Sequence, residues 1–186
     1  MLICGLIVTI ATWLSAYVRG ALSSRFILGV IGPLTNGSFV VGAWLAVTHL
    51  PTLYDVRRTW VSSLASARYN PAGYAYLGAV FLIVPLLLVP LPGYLSGRFR
   101  ASAMRRAGFC LLWFGIVGLF LLGFETTIFP NPGRTRFSHQ LFTTIAFIGI
   151  TPGFLAFSLL AWRRAWMART SLVPATLACA VLLLPG

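Results

Sequence analysis

The sequence predicts an all-α, polytopic transmembrane helical bundle of about six helices, and three observations predict it. Hydrophobic residues make up 59% of the 186 and charged residues 9%, whereas a soluble protein carries roughly a quarter of its residues charged. The apolar residues are gathered into six runs separated by arginine-bearing or proline-bearing segments. The runs are apolar on every side, as in Phe81-Leu82-Ile83-Val84-Pro85-Leu86-Leu87-Leu88-Val89, and lack the apolar/polar alternation of a barrel strand. With no water in the hydrocarbon to satisfy backbone groups, such runs must bond internally as helices.

The runs are assigned in chain order to Leu2–Val18, Phe26–Leu50, Gly73–Leu91, Ala107–Phe124, Gln140–Trp162 and Ser171–Leu184. Spanning takes about 20 residues, within a range of about 17 to 25, so the last run is short. The first run lacks a positively charged leader and is followed by Arg19, which reads as a retained helix rather than a cleaved signal. The second and fifth runs carry internal breaks at Gly32-Pro33 and Pro152-Gly153. All 186 residues read as a single transmembrane domain.

Arginine sets the orientation. The sequence holds 14 basic residues, all arginine, and two acidic ones, for a formal charge of +12. Nine arginines lie in the segments 19–25, 92–106 and 163–170, and five lie in the two alternate loops. The excess places the first set in the cytoplasm, with both termini outside, in a bacterial inner membrane. The base-rich balance does not point to nucleic acid, because the arginines flank apolar runs instead of forming a soluble basic face. Trp162, Trp166, Tyr74 and Tyr76 fall at interfacial depth, where aromatic rings anchor helices. The outer loop 51–72 is long enough for an interfacial helix over Tyr54–Ala67 carrying Trp60, Val61 and Leu64, ended by Asn70-Pro71. The second outer loop, Glu125 to Ser138, contains Pro130, Pro132 and Gly133 and reads as a rigid turn.

Few residues carry chemistry. Cys4, Cys110 and Cys179 sit inside apolar runs with no CxxC or Cys/His spacing, so they read as small buried hydrophobes. Within the spans, Asn36 after Pro33 is placed to bond a freed carbonyl or a neighbouring helix. Gly149 and Gly153 form a GxxxG across Pro152, and Gly115, Gly118 and Gly123 line the fourth run, allowing close backbone approach. Pro33, Asn36, Gly149, Pro152 and Gly153 are therefore assigned to helix kinks and packing. On the outer side, His49, Asp55, Glu125 and His139 share one depth. Imidazoles and carboxylates together suit acid–base chemistry or a metal, with His49 and His139 the candidate ligands. The ordinary alternative is that polar residues gather where they leave lipid. No HExxH, HxxxH or GxSxG is present, and no cofactor is expected.

From Phe26 onward the pattern resembles a bacterial family of membrane proteins, domain-of-unknown-function family 998. The resemblance is carried by Gly29-Val30-Ile31-Gly32-Pro33-Leu34, Tyr54-Asp55, Val61-Ser62-Ser63-Leu64-Ala65, Pro71 to Leu77, a glycine-rich fourth helix, and Phe129-Pro130 before His139. It covers residues 26–165 and implies a bundle of about six helices. It also implies an outer-face site that would comprise Ser62, Ser63 and His139. The chain departs from the family in having Leu64-Ala65 where an acidic residue usually follows the serine, and in having a helix before Phe26.

The functional expectation is a non-catalytic accessory subunit of a larger membrane complex, with membrane lipids and other membrane subunits as partners. One alternative is an outer-leaflet lipid-handling enzyme or carrier using His139, Asp55 and Glu125. Another is a small-solute transporter with a cavity lined by Thr35, Asn36 and Thr151.

Overall fold

The structure is a computed structural model and describes residues 2–51, Asp55, 61–128 and 135–162. All regular structure among these residues is helical. We number the helices α1 (Leu2–Val18), α2 (Ser24–Thr48), α3 (Val61–Leu64), α4 (Tyr74–Gly97), α5 (Ala103–Ile128) and α6 (Thr135–Trp162). α2, α4, α5 and most of α6 (Ser138–Trp162) are long and apolar enough to cross a membrane, which supports a multi-pass membrane protein. α1 has 17 residues. The expected sixth span, Ser171–Leu184, lies outside the described residues, among which four helices are of spanning length, so the count of about six is not confirmed.

The four long helices form a row. Extensive packing joins α2 to α4, α4 to α5, and α5 to α6. α1 attaches separately, at the second half of α4. One apolar core unites α2, α3 and α4 around Ala46, Leu64, Ala65, Leu77, Val80 and Val84. A second unites α4, α5 and α6 around Leu95, Leu112 and Phe157.

Small residues set the spacing in this row, as in other membrane helix pairs, where close approach replaces the missing hydrophobic drive. Between α5 and α6, Gly115 lies directly on Gly149: a Cβ on Gly115 would fall 2.5 Å from the Ile150 nitrogen. One turn on, a Cβ on Gly118 would fall 2.6 Å from the Ala146 nitrogen. Gly123 serves α4 instead, where a Cβ would fall 2.5 Å from the Phe81 carbonyl carbon. The GxxxG of α6 is thus occupied within the chain, with Gly149 on Gly115 and Gly153 on Leu112.

The proline breaks resolve differently from one another. Before Pro33 the backbone widens into a π-turn over Ile27–Ile31, and the Gly32 N–H donates to the Ile27 carbonyl. Asn36 donates to the Gly32 carbonyl one turn back, at 3.0 Å, and is exposed. It therefore satisfies its own helix, and its side-chain bond does not reach a neighbour. Pro152 is accommodated inside a continuous α6.

The third run does not end at Leu91, where Pro90 and Pro92 stand on either side. The helix continues through them to Gly97, so the expected cytoplasmic segment 92–106 shortens to a connection over 98–102. Pro90 has no N–H for the Leu86 carbonyl, and the Tyr17 hydroxyl of α1 donates to that carbonyl at 3.0 Å. It also lies 3.3 Å from the Leu87 carbonyl. Tyr17→Phe is expected to cost about 1 kcal/mol, the net worth of one hydrogen bond, and to loosen α1. Faster proteolysis at Arg19, measured against the wild type, would show the loosening.

α1 ends in a Schellman turn: Ala21 N–H bonds the Ala16 carbonyl and Gly20 N–H the Tyr17 carbonyl. Gly20 takes φ +67°, a conformation open to glycine at little cost. Its missing side chain also admits the backbone of Pro90, Gly93 and Tyr94. Gly93 in turn packs on the Arg19 carbonyl.

The remaining boundaries shift by a few residues. α2 runs Ser24–Thr48, starting at an N-cap where Ser23 Oγ accepts from the Phe26 N–H at 3.2 Å. α5 begins at Ala103 and α6 at Thr135, so both reach beyond the apolar core of their runs. Of the proposed interfacial helix Tyr54–Ala67, the described part is the single turn α3 and the turns that follow it.

Candidate functional site

Two polar assemblies stand at the end of the row where α2 and α5 finish and α4 and α6 begin. The first is structural. Asn70 has no solvent exposure and uses its whole amide: Nδ2 donates to the Ala46 carbonyl at 2.7 Å and lies 3.2 Å from the Leu64 carbonyl, and Oδ1 accepts from the Gly73 N–H at 3.0 Å. The Gly73 donor fixes which way the amide faces. Asn70 thereby ties α2, α3 and the start of α4 together. Sequence reasoning read Asn70-Pro71 as a loop terminator; the only local signal of its role is an Asn three residues before a Gly at a helix start.

The second assembly lies between α5 and α6. Ser138 Oγ donates to Glu125 Oε1 in a very short bond. Glu125 Oε2 is buried without a hydrogen-bond partner among the described residues. His139, half-buried, is close enough to interact electrostatically with Glu125. The Thr143 hydroxyl, one turn along α6 from His139, is also buried without a partner. The α5–α6 glycine contacts place this group, because Glu125 lies two turns beyond Gly118, and His139 two turns before Ala146. A carboxylate with one satisfied and one open oxygen beside an imidazole can accept, hold or pass a proton, and intramembrane ionisable groups are functional candidates by default.

The four outer residues do not form one cluster. Glu125 and His139 come together. His49 is held elsewhere: its Nδ1 lies 2.8 Å from the Leu45 carbonyl of its own helix, and its ring sits 4.9 Å from that of Tyr76 on α4. Asp55 is exposed. Among the described residues, no three His, Cys, Asp or Glu side chains gather as a metal site would require. Ser63 is half-buried in α3. The Ser62 side chain and residues 129–134, part of the expected rigid turn, lie outside what the structure describes. Ser138 was not singled out from the sequence; a serine beside His139 facing a helix-terminal glutamate was the available signal.

Thr35 and Thr151, expected to line a solute cavity with Asn36, have buried hydroxyls without partners among the described residues. They sit on α2 and α6, the two ends of the row, which are not packed as neighbours.

Compared with protein-family models, curated proteins and solved structures, the chain matches none.

Proposed function

We propose that the chain is a non-catalytic accessory subunit of a larger membrane complex, set in a bacterial inner membrane with its arginine-rich end in the cytoplasm. The observation that carries the reading is the open row. Among the described residues, α2 and α6 each pack extensively on one long helix, and only 17% of the most apolar stretch of α2 is buried. Val40, Val41 and Trp44 form a broad exposed apolar surface on α2, and Leu155, Leu159 and Trp162 another on α6. Lipid can cover such faces. A row whose two end helices each have one long neighbour among the described residues also suits insertion beside other helices, because side-on packing of further spans needs no rearrangement of the existing contacts.

The test is to extract the tagged full chain from native membranes in a mild detergent, size it, and identify the peak by mass spectrometry. The subunit reading expects fixed partners in constant ratio. Elution of the 20.2 kDa chain alone, or with partners in varying ratio, rejects it.

A second reading, an outer-leaflet enzyme or carrier acting on lipid, draws support from the open oxygen of Glu125 beside His139. It expects Glu125→Gln and His139→Ala each to reduce lipid turnover or transfer in reconstituted vesicles by 10²-fold or more, the usual scale for a lost acid or base, with the elution profile unchanged. Retention of full activity in both variants would remove this reading and leave the subunit reading untouched.

A further inference from the structure

The end of the row remote from Glu125 has a different chemistry. Arg19, Arg25, Arg98, Arg100, Arg105 and Arg106 all stand there, and all but Arg105 are exposed. The chain's two acidic residues, Asp55 and Glu125, follow α2 and close α5, at the opposite end. Backbone and side-chain contacts together bring three of these arginines to one corner. The Schellman turn at Gly20 and the Gly93 contact fix the Arg19 carbonyl on α4. Arg98 Nη2 donates to Ser24 Oγ in a very short bond and lies 3.3 Å from the Tyr94 hydroxyl, with the guanidinium 4.8 Å from the Tyr94 ring centre. Arg98 is thus held against the residue that precedes Arg25.

The corner is amphiphilic. Leu28, one turn below Arg25 on α2, is 70% exposed, and Val18, beside Arg19, is 44% exposed. Residues three apart on a helix share a face, so a guanidinium sits above an open apolar surface at the depth where α2 enters the bilayer. Guanidinium forks match phosphate oxygens in geometry and charge, and basic clusters at this depth attract anionic lipid.

We propose that Arg19, Arg25 and Arg98 form a binding site for one anionic phospholipid, the phosphate held by the arginines and an acyl chain lying along Val18 and Leu28. Arg98 is pre-positioned by Ser24 and Tyr94, so little side-chain freedom remains to be lost on binding.

The experiment is native mass spectrometry of the full-length protein in mild detergent, supplied with equal amounts of phosphatidylglycerol and phosphatidylcholine carrying the same acyl chains. The wild type is expected to retain phosphatidylglycerol at least tenfold over phosphatidylcholine. Each arginine removed should lower that retention about fivefold, so Arg25→Gln alone gives about fivefold and Arg25→Gln with Arg98→Gln about 25-fold. Arg68→Gln, at the other end of the row, should change nothing. Arg25 is exposed, so the single variant keeps the test decisive if loss of the Arg98–Ser24 bond impairs folding. Equal retention of the two lipids, an unchanged Arg25→Gln variant, or an equal loss in Arg68→Gln would overturn the site. Displacement of the lipid by millimolar inorganic phosphate would overturn the acyl-chain half of the proposal.

Discussion

Replacing Gly149 by valine is expected to separate α5 from α6. At this point the two helices touch through backbone: a Cβ on Gly149 would meet the Gly115 nitrogen and Cα, and fall 2.6 Å from the Leu111 carbonyl oxygen. None of these atoms is the far end of a flexible side chain, so the helices themselves must move apart. Overpacking of a tight core costs about 1–3 kcal/mol, and the upper end applies where the obstacle is main chain. The same contact aligns Gly118 with Ala146, and beyond it Glu125 with Ser138, so the polar group at the outer end should be lost as well. Unfolding titrated with dodecyl sulfate, read by tryptophan fluorescence, should show a clear drop in midpoint. Gly37→Ala is the control: no atom lies within 4 Å of where its Cβ would stand, and the helix should be unchanged or slightly more stable. Equal midpoints for Gly149→Val and wild type would mean that the glycine contact does not set the α5–α6 spacing.

The second large effect is expected at Asn70. Asn70→Ala leaves the carbonyls of Ala46 and Leu64 short of a donor in a site with no solvent exposure, while the Gly73 N–H keeps its 3.2 Å bond to the Asn70 carbonyl. Each buried group left unpaired costs about 1–3 kcal/mol, so a total of about 2–4 kcal/mol is expected for the two carbonyls once relaxation is allowed. Asn70→Asp should be at least as harmful, since a carboxylate keeps the bond from Gly73 but cannot donate to the two carbonyls, and it buries a charge beside them. Hydrogen exchange should find the amides of residues 70–74 deprotected in both variants, with those of α5 and α6 unaffected. Deprotection spread evenly over the whole chain would argue against a local staple.

These two positions also show what can be read from a sequence of this kind. The long helices were legible because lipid allows so few solutions: an apolar run of the right length can only be a helix. The glycine stripes were legible as contact surfaces, but not their partners, because Gly149 is just as suited to a second copy as to Gly115. Helix ends were read least well. The third run was expected to end at Leu91, yet the helix passes Pro90 and Pro92 to Gly97, and Tyr17, some seventy residues earlier, donates to the Leu86 carbonyl that Pro90 cannot serve. Asn70 looks like a loop residue because its burial depends on α2, α3 and α4 meeting around it. In the candidate site, the nearness of Glu125 and His139 followed from their depth at adjoining helix ends. The separation of His49 did not, because depth gives height along the membrane normal but no position within its plane.

The row of helices has a consequence for synthesis. Each span from α4 onward packs on the spanning helix made just before it, so when it leaves the insertion machinery its neighbour is already in the bilayer. Contacts of this kind are short-range in sequence and form without a long search. α1 is the exception. Its dock is the stretch from Pro90 to Gly97, so α1 must wait in lipid until α2 and most of α4 have followed it, with Tyr17 and Gly20 unengaged throughout. Among the described helices, the contact made by α1 therefore closes late: a helix made before α2 and α4 returns to dock once both are in place.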